Sequence, residues 1–350
     1  MKKSAYAKAG VDINLGNEVK ETLPALLAST QRAEVLGKVG GFGGLFALNT
    51  RKFKQPVLVS SVDGVGTKLK VAFMMNRHDT IGQDLVNHCV NDIAVLGAEP
   101  LFFLDYLGTG VLKPSVFEDI VRGFAVGCRE NGCSLIGGET AQMPGFYQKG
   151  EYDVSGTIVG VVDKPAMLDG KGICPGDQII GIESNGLHTN GYSLARKVLL
   201  DTMGLTPRRK VKELGCSVGD EMLKVHRSYG PLVQKLLKRF NTKKRGIKGL
   251  AHITGGGFID NIPRVLPSTC NAIIHLGSWE MQPVFELIQE YGKVETEEMY
   301  QVFNMSIGMT AIVDQAACKP ILGAIKRGGH RAWVIGEIAK GKGNTVLKGS

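Results

Sequence analysis

Hydrophobic and polar positions in the first half of the chain follow strand-like spacing in some segments and helix-like spacing in others. Short apolar runs predict strands at Val57–Ser61, Leu101–Leu107 and Val154–Val162. Apolar residues at helical spacing predict helices at Asn17–Ser29, Ile81–Leu96 and Ser115–Glu130, the last with Pro114 near its start. Strands and helices in alternation are typical of α/β or α+β proteins.

A segment dense in glycine, proline and charge, Lys164–Asp177, has no periodic pattern and separates the two halves. We therefore predict an N-terminal domain over residues 1–168 and a C-terminal domain over residues 169–350. The second half is predicted to contain strands at Gln178–Ile182 and Ala272–Leu276, helices at Leu194–Leu200, Tyr229–Arg239 and Pro283–Tyr291, and a closing strand, helix and strand over Met309–Ile338.

Composition favours a folded protein of the cytoplasm. The 350 residues, 43% of them hydrophobic, are enough to bury sizeable cores. No apolar stretch approaches the roughly 18–20 residues of a membrane span, and the N-terminal MKKSAYAKAG lacks the apolar core of a signal peptide. The seven cysteines form no C-x-x-C pair, which indicates reduced thiols. We expect a soluble, cytoplasmic protein without a membrane partner.

The formal charge of +9 is concentrated in two basic runs, Thr206–Lys212 and Leu236–Lys248. Such runs occur in nucleic-acid-binding proteins, but only Phe240 offers a stacking aromatic among them. Basic residues after an apolar helix also suit its C-terminal dipole. We predict no nucleic-acid partner, and the purpose of the basic surplus stays open.

The segment SSVDGVGTK, Ser60–Lys68, predicts a carboxylate-bearing glycine loop after a strand. Asp63 offers an anionic oxygen that suits Mg²⁺, while Gly64 and Gly66 allow backbone N–H groups to approach an anion. Lys68 supplies a point charge for a polyphosphate. The spacing differs from the Walker pattern, and an Asp-Gly turn can also be only a turn.

Two other segments present carboxylates in a similar setting. On a helical projection of Ile81–Leu96, one arc holds short polar groups, namely Asp84, Asn87, His88, Asn91 and Asp92. The apolar run Leu135–Ile136 ends in two glycines followed by Glu139 and Thr140. Asp63, Asp92 and Glu139 could together hold one or two Mg²⁺ ions on nucleotide phosphates. Any of the three could instead be a helix or turn cap.

Polar glycine-rich segments in the second half supply further candidates. His188 lies in SNGLHTNGYS, which predicts an exposed polar loop, and is the strongest acid/base candidate among the histidines. A histidine with only a structural hydrogen bond is an equal alternative. Three consecutive glycines, Gly255, Gly256 and Gly257, follow another apolar run and suit close approach to a ligand. Asn261 and Arg264 would project from the helix that begins there, although a plain loop with a cap remains open.

Together these segments closely resemble the phosphoribosylformylglycinamidine cyclo-ligase family. The resemblance rests on YAKAGVDINLGN, GGFGG, SSVDGVGTK, VNDIAVLGAEPLFFLDYLGTG, GGETAQMPG, SNGLHTNGYSLARK, HITGGGFIDNIPR and EMYQVFNMSIGM, in the family's order over nearly the whole chain. It implies a two-domain AIR-synthetase-like architecture, in which an N-terminal mixed sheet pairs across a homodimer and a C-terminal α/β domain completes the ATP site.

The resemblance also implies the reaction. Formylglycinamidine ribonucleotide would be closed to 5-aminoimidazole ribonucleotide in purine biosynthesis, with ATP converted to ADP and phosphate. An amide carbonyl resists attack by an amidine nitrogen, but phosphorylation of the formyl amide oxygen creates a good leaving group. The implied cofactors are ATP and Mg²⁺, and whether K⁺ is also needed stays open.

The resemblance assigns roles to the candidates. Asp63, Asp92 and Glu139, with Asn87 as a weaker candidate, would bind metal. Gly64, Gly66, Thr67, Lys68, Thr140 and the triple glycine Gly255–Gly257 would bind nucleotide, with Lys68 and Asp63 also catalytic. His188 would shuttle a proton or stabilise the transferring phosphoryl group, and Thr189, Asn190, Asn261 and Arg264 would bind substrate. The alternatives are a small-molecule kinase of the same superfamily and a basic nucleic-acid-binding protein.

Overall fold

The N-terminal half is built on a four-stranded mixed sheet. The computed structural model describes residues 4–20, 23–37, 41–242 and 244–349. The strands are β1 (Pro56–Gly64), β2 (Glu99–Thr109), β3 (Ser134–Gln142) and β4 (Tyr152–Asp163). Their order is β1-β4-β2-β3, and only the pair β2–β3 is parallel. β1 and β3 therefore form the two opposite edges of this sheet.

Two long helices cover one face of this sheet, and shorter helices flank them. The helices of this half are α1 (Ala5–Lys8), α2 (Ile13–Lys20), α3 (Leu23–Ala28), α4 (Lys68–Met75), α5 (Ile81–Ala94) and α6 (Pro114–Asn131). α5 and α6 approach closely at Gly82, where a Cβ atom would overlap the backbone of Ile120. Nearly every residue of α5 is buried, including most of its polar side chains, because further structure covers its outer face.

The C-terminal half is built on a six-stranded sheet. The strands of this half are β5 (Gln178–Glu183), β6 (Lys210–Val211), β7 (Cys216–Ser217), β8 (Ile247–His252), β9 (Cys270–His275), β10 (Ile307–Val313), β11 (Ala332–Lys340) and β12 (Thr345–Lys348). The large sheet has the order β12-β9-β11-β5-β10-β8, and β6 and β7 form a separate hairpin. Only β12 and β9 pair in parallel in the large sheet.

Helices cover both faces of the six-stranded sheet. They are α7 (Tyr192–Arg196), which continues as a π-helix over Lys197–Thr202, α8 (Val218–Met222), α9 (Gly230–Phe240), α10 (Gly257–Asn261), α11 (Pro283–Gly292), α12 (Thr296–Val302) and α13 (Cys318–Arg327). Because side chains alternate along a strand, Ile180 packs with Leu232 of α9 and Ile321 of α13, whereas Ile179 belongs to the opposite core with Phe285 of α11.

The structure confirms the predicted α/β class and most of the predicted elements. Two details were wrong. β1 runs through Asp63 to Gly64, so the glycine loop is only residues 65–67, and Glu139 lies inside strand β3 instead of in a loop. The expected helix Asn17–Ser29 appears as α2 and α3, and residues 21–22 between them lie outside the described residues.

The change from one sheet to the other falls between Asp163 and Gln178, in the segment expected to hold the domain boundary. The boundary at residue 168 itself stays a prediction. Among the described residues, no helix combines the length and the apolar character that crossing a membrane requires.

Candidate active site at the domain interface

A cleft of about 570 Å³ lies between the two halves. Its N-terminal wall carries Ser61 and Asp63 of β1 and His88 and Asp92 of α5. The C-terminal wall includes Asn190, His252, Thr254, Gly255, Asn261 and Arg264. The polar groups sit where β1 and α5 meet the end of β8, so residues distant in sequence share one space.

Asp63 and Asp92 are held in fixed orientations by hydrogen bonds to both oxygens. The Asp63 oxygens accept from His88 Nε2 at 3.0 Å and from the Gly64 amide at 2.7 Å. The Asp92 oxygens accept from His252 Nδ1 at 2.8 Å and from Ser61 Oγ at 2.9 Å. Burial is the largest single influence and would raise the pKa of each carboxyl, but the hydrogen bonds to each carboxylate and its attraction to the neighbouring histidines together outweigh burial and hold both pKa values below their ordinary range.

Behind the carboxylates lies a cluster of four buried histidines: His88, His188, His226 and His252. Their neighbouring ring centres are 4.1–5.3 Å apart. Burial is the largest single influence and would lower the pKa of His88, but its hydrogen bond with Asp63 and its attraction to the nearby carboxylates together raise that pKa. For the other three, burial dominates and lowers the pKa, so their rings are neutral at pH 7. Two sets of side chains bring ligand atoms within 4.8 Å of one another: His188, His226 and His252, and His88, Asp92 and His252.

Lys68 does not face the cleft, which corrects the expectation that its charge is available to a polyphosphate. Its side chain is completely buried, and Nζ lies 2.9 Å from a carboxylate oxygen of Asp84. Nζ also donates to the carbonyl oxygens of His188 at 3.1 Å and Lys224 at 2.7 Å. All three ammonium protons thus have partners, and the group joins the two domains.

The polar arc of α5 forms the domain interface over most of its length. Asn87 donates to the carbonyl of His226 at 2.8 Å and accepts from Asn131 at 2.8 Å. Asn91 donates to the carbonyl of Arg227 at 2.9 Å and accepts from the Tyr229 amide at 2.7 Å. The expectation that Asn87 is a metal ligand is therefore corrected: its amide is occupied, and it does not line the cleft.

His188 is buried, so the expectation of an exposed loop was wrong. Only 2% of the residue is exposed, its ring stacks on His226 at 4.1 Å, and its Nε2 lies 3.0 Å from Asn185 Oδ1. Its φ of 61° is left-handed, a conformation that the surrounding loop imposes. The adjacent Thr189 is buried too, with its hydroxyl 2.8 Å from His88 Nδ1 and 3.2 Å from His226 Nδ1.

The glycine segments lie at the edges of this region. Gly66 has a φ of 60° and open space beside it, and Thr67 Oγ1 lies 3.2 Å from Ser193 Oγ of the other domain. Gly255 lines the cleft, and Gly257, with a φ of 55°, lies so close to Tyr300 that a Cβ would overlap its carbonyl oxygen. The Asn261 amide donates to carbonyls of Thr254, Gly255 and Gly257 at 2.8–3.2 Å and so holds the glycine turn in shape.

Glu139 and Thr140 are separated from the other candidates. Glu139 pairs with Tyr106 on β2, and β2 and β4 lie between β3 and Asp63 on β1. Three strand spacings of about 4.8 Å put roughly 14 Å between the backbones of Asp63 and Glu139. Within one chain these carboxylates cannot share one ion, which corrects the predicted three-carboxylate set. Thr140 lines a separate small pocket of about 160 Å³ with Gln142.

Sequence reasoning missed two residues of the site and underrated one. His252 ends β8 just before the triple glycine, and its position between an apolar run and a glycine loop was a usable signal. His226 lies between α8 and α9 and was not among the candidates. Ser61 was seen only as part of a strand, although its hydroxyl contacts Asp92.

The chemistry of the cleft suits a phosphorylated ligand with a divalent cation. Asp63 and Asp92 present hard carboxylate oxygens of the kind that Mg²⁺ prefers. The exposed Arg264 adds a planar cation suited to a phosphate on the opposite wall. His88 and His252 are the two histidines that reach the cleft surface.

Comparison with known proteins supports this description. Residues 49–162 match the N-terminal domain of the AIR synthase related protein family, and residues 174–348 match its C-terminal domain. A phosphoribosylformylglycinamidine cyclo-ligase from Syntrophotalea carbinolica is 53% identical over 339 residues, 97% of this chain and 95% of that protein. The enzyme of the same name from Trichlorobacter lovleyi is 53% identical over 336 residues, 96% and 95% of the two chains.

Solved structures agree on the fold. A thiamine-monophosphate kinase from Stenotrophomonas maltophilia superposes with a TM-score of 0.67 at 15% identity, over 93% of this chain and 95% of that one. At this identity the likeness concerns the fold alone.

Proposed function

This chain belongs to the AIR synthase related family, among its phosphoribosylformylglycinamidine cyclo-ligases, and from that membership we propose how its cleft performs the reaction. The chain is an ATP-dependent ligase of purine biosynthesis. It closes the imidazole ring of formylglycinamidine ribonucleotide to 5-aminoimidazole ribonucleotide, giving ADP and phosphate, through phosphorylation of the formyl amide oxygen. The observation that carries the residue assignments is the pair of oriented carboxylates, Asp63 and Asp92, in the interdomain cleft.

Mg²⁺ fits the carboxylate pair. The two side chains offer only oxygen ligands, and histidine, serine and backbone donors already fix their orientations. When bound, the ion would neutralise phosphate charge and align the phosphates of ATP. Glu139 and Thr140 lie on the far edge of the same sheet. We propose that Glu139 binds metal and Thr140 binds nucleotide there, separately from the ion held by Asp63 and Asp92.

The opposite wall of the cleft is proposed to bind the ribonucleotide. Arg264 would pair with its phosphate, and Asn190 and Gly255 would contact the sugar or the formylglycinamidine group. Asn261 would act through the glycine turn that it holds. Gly64, Gly66 and Thr67 would stay available to nucleotide phosphates at the start of α4, whereas Lys68 would stabilise the domain interface.

We propose Asp63 and Asp92, each paired with a histidine, as the groups through which protons are exchanged at the cleft. Ring closure removes a proton from the attacking amidine nitrogen, and the two carboxylates line the cleft, whereas both ring nitrogens of His88 and of His252 already have partners. The surroundings of His188 support an indirect role, because its ring is buried against His226. His188 would then fix the histidine cluster instead of contacting the substrate.

A homodimer and a cytoplasmic location are also proposed. Leu58 and Val62 on the edge strand β1 are 62% and 65% exposed, and apolar residues on a free sheet edge favour pairing with another copy. The seven cysteines are free thiols, which suits a reducing compartment. Whether K⁺ is needed would be seen from activity in its presence and absence.

ATP hydrolysis with and without formylglycinamidine ribonucleotide tests the function. We expect hydrolysis to depend on the ribonucleotide and on Mg²⁺, with aminoimidazole and free phosphate formed in equal amounts. A small-molecule kinase would instead retain the phosphate on its product. Phosphate-bearing product without ring closure would therefore refute the assigned reaction.

A further inference from the structure

One run of hydrogen bonds crosses the domain interface twice and ends on Asp63. It consists of Asn91, His226, Thr189, His88 and Asp63, and its four links measure 3.1, 3.2, 2.8 and 3.0 Å. Asn91 and His88 belong to α5 of the N-terminal half, whereas His226 and Thr189 belong to the C-terminal half. We call this set the hydrogen-bond run.

The partners assign the direction of every link. The Asn91 amide is oriented by its bonds to the Arg227 carbonyl and the Tyr229 amide, so Nδ2 is the atom that faces His226 Nε2. An amide nitrogen only donates. His226 Nε2 is therefore the acceptor, and the proton of the neutral His226 ring lies on Nδ1, which donates to Thr189 Oγ1.

The same reasoning continues to the carboxylate. Thr189 Oγ1 accepts from His226 and has one proton left, which it donates to His88 Nδ1. Because Nδ1 accepts from Thr189, the proton of the His88 ring lies on Nε2, which faces Asp63 Oδ2 and, at 3.2 Å, also Thr254 Oγ1. All four donors thus point the same way, an arrangement in which each hydrogen bond polarises the next.

His226 has one more neighbour. Its Nε2 lies 3.2 Å from His252 Nε2, and His252 donates through Nδ1 to Asp92. The hydrogen-bond run therefore touches the support of the second carboxylate as well, through a contact between two unprotonated ring nitrogens. This contact is the weakest point of the network, and the Asn91 donor beside it reduces the repulsion.

We propose that Thr189 and His226 are positioning residues of the metal site: they fix the tautomer and orientation of His88, and His88 in turn holds Asp63 for the cation. This inference rests on the proposed assignment of Asp63 to Mg²⁺. It replaces the expectation that Thr189 binds substrate, because Thr189 is only 8% exposed and its hydroxyl is occupied by two histidines.

The test compares three threonine variants of the full-length chain. Thr189→Val keeps the side-chain shape but removes the hydroxyl, whereas Thr189→Ser keeps the hydroxyl. Thr109→Val is the matched control, because Thr109 is 5% exposed and its single hydroxyl proton faces the backbone carbonyls of Val111 and Glu151, each 3.2 Å from Oγ1 and away from the cleft. Cooperative thermal unfolding of each variant establishes that it folds.

The first readout needs no metal. Nitrogen-15 histidine spectra at pH 8 should show His226 protonated on Nδ1 and His88 on Nε2 in the wild type. Thr189→Val should change the His88 signals, and Thr189→Ser and Thr109→Val should preserve them. The opposite tautomers in the wild type, or an unchanged His88 in Thr189→Val, would overturn the proposal.

The second readout is direct binding of Mn²⁺, as a probe for Mg²⁺, to the nucleotide-free protein by electron paramagnetic resonance. Loss of a supporting partner typically weakens metal binding about 10–100-fold, and we expect this for Thr189→Val with wild-type affinity in the other two. Equal affinity in all variants would refute the positioning role alone. A wild type that binds no Mn²⁺ would refute the metal assignment of Asp63 and the inference with it.

Discussion

Lys68 of α4 and Asp84 of α5 form an ion pair with an Nζ to oxygen distance of 2.9 Å in which neither side chain is exposed. Burial acts on both partners, lowering the pKa of Lys68 and raising that of Asp84, while their mutual attraction opposes both shifts. The pair is held further by carbonyl oxygens of His188 and Lys224 from the other half.

We expect Lys68→Met to lower the free energy of unfolding by about 3–5 kcal/mol, because Asp84 would remain buried without a counter-charge. Urea unfolding measures this change. Lys70→Met is the matched control on the same helix: its partner Glu151 is 2.6 Å away but the Lys70 side chain is 44% exposed, so the expected loss is about 0–1 kcal/mol. A Lys68→Met protein of unchanged stability with only a raised KM for ATP would show that Lys68 binds nucleotide phosphate after all.

Asp92→Asn should abolish most metal-dependent turnover, since the substitution removes an anionic ligand and replaces the charged acceptor of His252 with a neutral amide. The loss of Mn²⁺ affinity should exceed the about 10–100-fold typical of losing only a supporting partner. Asp163→Asn serves as the control, because Asp163 lies at the far end of β4 and accepts from the Gln55 amide. Wild-type metal affinity in Asp92→Asn would remove Asp92 from the site.

The free energy of unfolding should decrease as the pH is lowered below 6.5. His188 is buried and its pKa is lowered, so between its folded pKa and the ordinary value of about 6.5 the unfolded chain binds more protons. Each such histidine removes about 1.4 kcal/mol of stability per pH unit as the pH decreases through this window. His188→Asn, which suits the left-handed φ, should flatten the slope by that amount in urea unfolding at pH 7.5 to 5. If the free energies of unfolding of the wild type and of His188→Asn depend on pH in the same way, His188 is not buried in its neutral form.

Arg264→Gln should raise the KM for the ribonucleotide by an order of magnitude or more, since a charge-assisted hydrogen bond to phosphate contributes about 1.5–3 kcal/mol. The KM for ATP should change little. Initial rates with each substrate varied in turn separate the two effects. An increase confined to the KM for ATP would show that Arg264 binds ATP and not the ribonucleotide.

Leu58→Glu combined with Val62→Glu should convert the dimer to a monomer, because two charges would stand on the exposed edge of β1. Size-exclusion chromatography with light scattering measures the mass. Val334→Glu on β11, where the residue is 38% exposed, is the control and should leave the mass unchanged. A wild type that is already monomeric at assay concentration would refute the dimer.

The sequence was sufficient for the fold because strands and helices here follow local periodicity. It failed where local pattern and tertiary role diverge. The polar arc of α5 predicted a site, yet only His88 and Asp92 reach the cleft, while Asp84, Asn87 and Asn91 meet the other domain. Nothing in the spacing of Lys68 distinguishes a phosphate ligand from a buried counter-charge, since that depends on what packs over it.

The site residues were predictable in part for the same reason. Asp63 and Asp92 come together because α5 packs on β1, which follows from the order of elements. Glu139 looks equivalent to Asp63 in sequence, since both follow an apolar run, but the strand order β1-β4-β2-β3 puts them on opposite edges. Strand order depends on crossover connections that residue patterns do not encode.

The double crossing of the interface by the hydrogen-bond run has a consequence for modularity. An isolated N-terminal half would contain Asp63 and His88 but neither Thr189 nor His226, so its carboxylate would lack the support that sets its orientation. A chimera that joins this half to the second half of a distant fold relative should therefore be impaired unless the grafted half supplies an equivalent hydroxyl and imidazole. The N-terminal half therefore depends on its own C-terminal half for the orientation of its metal ligand.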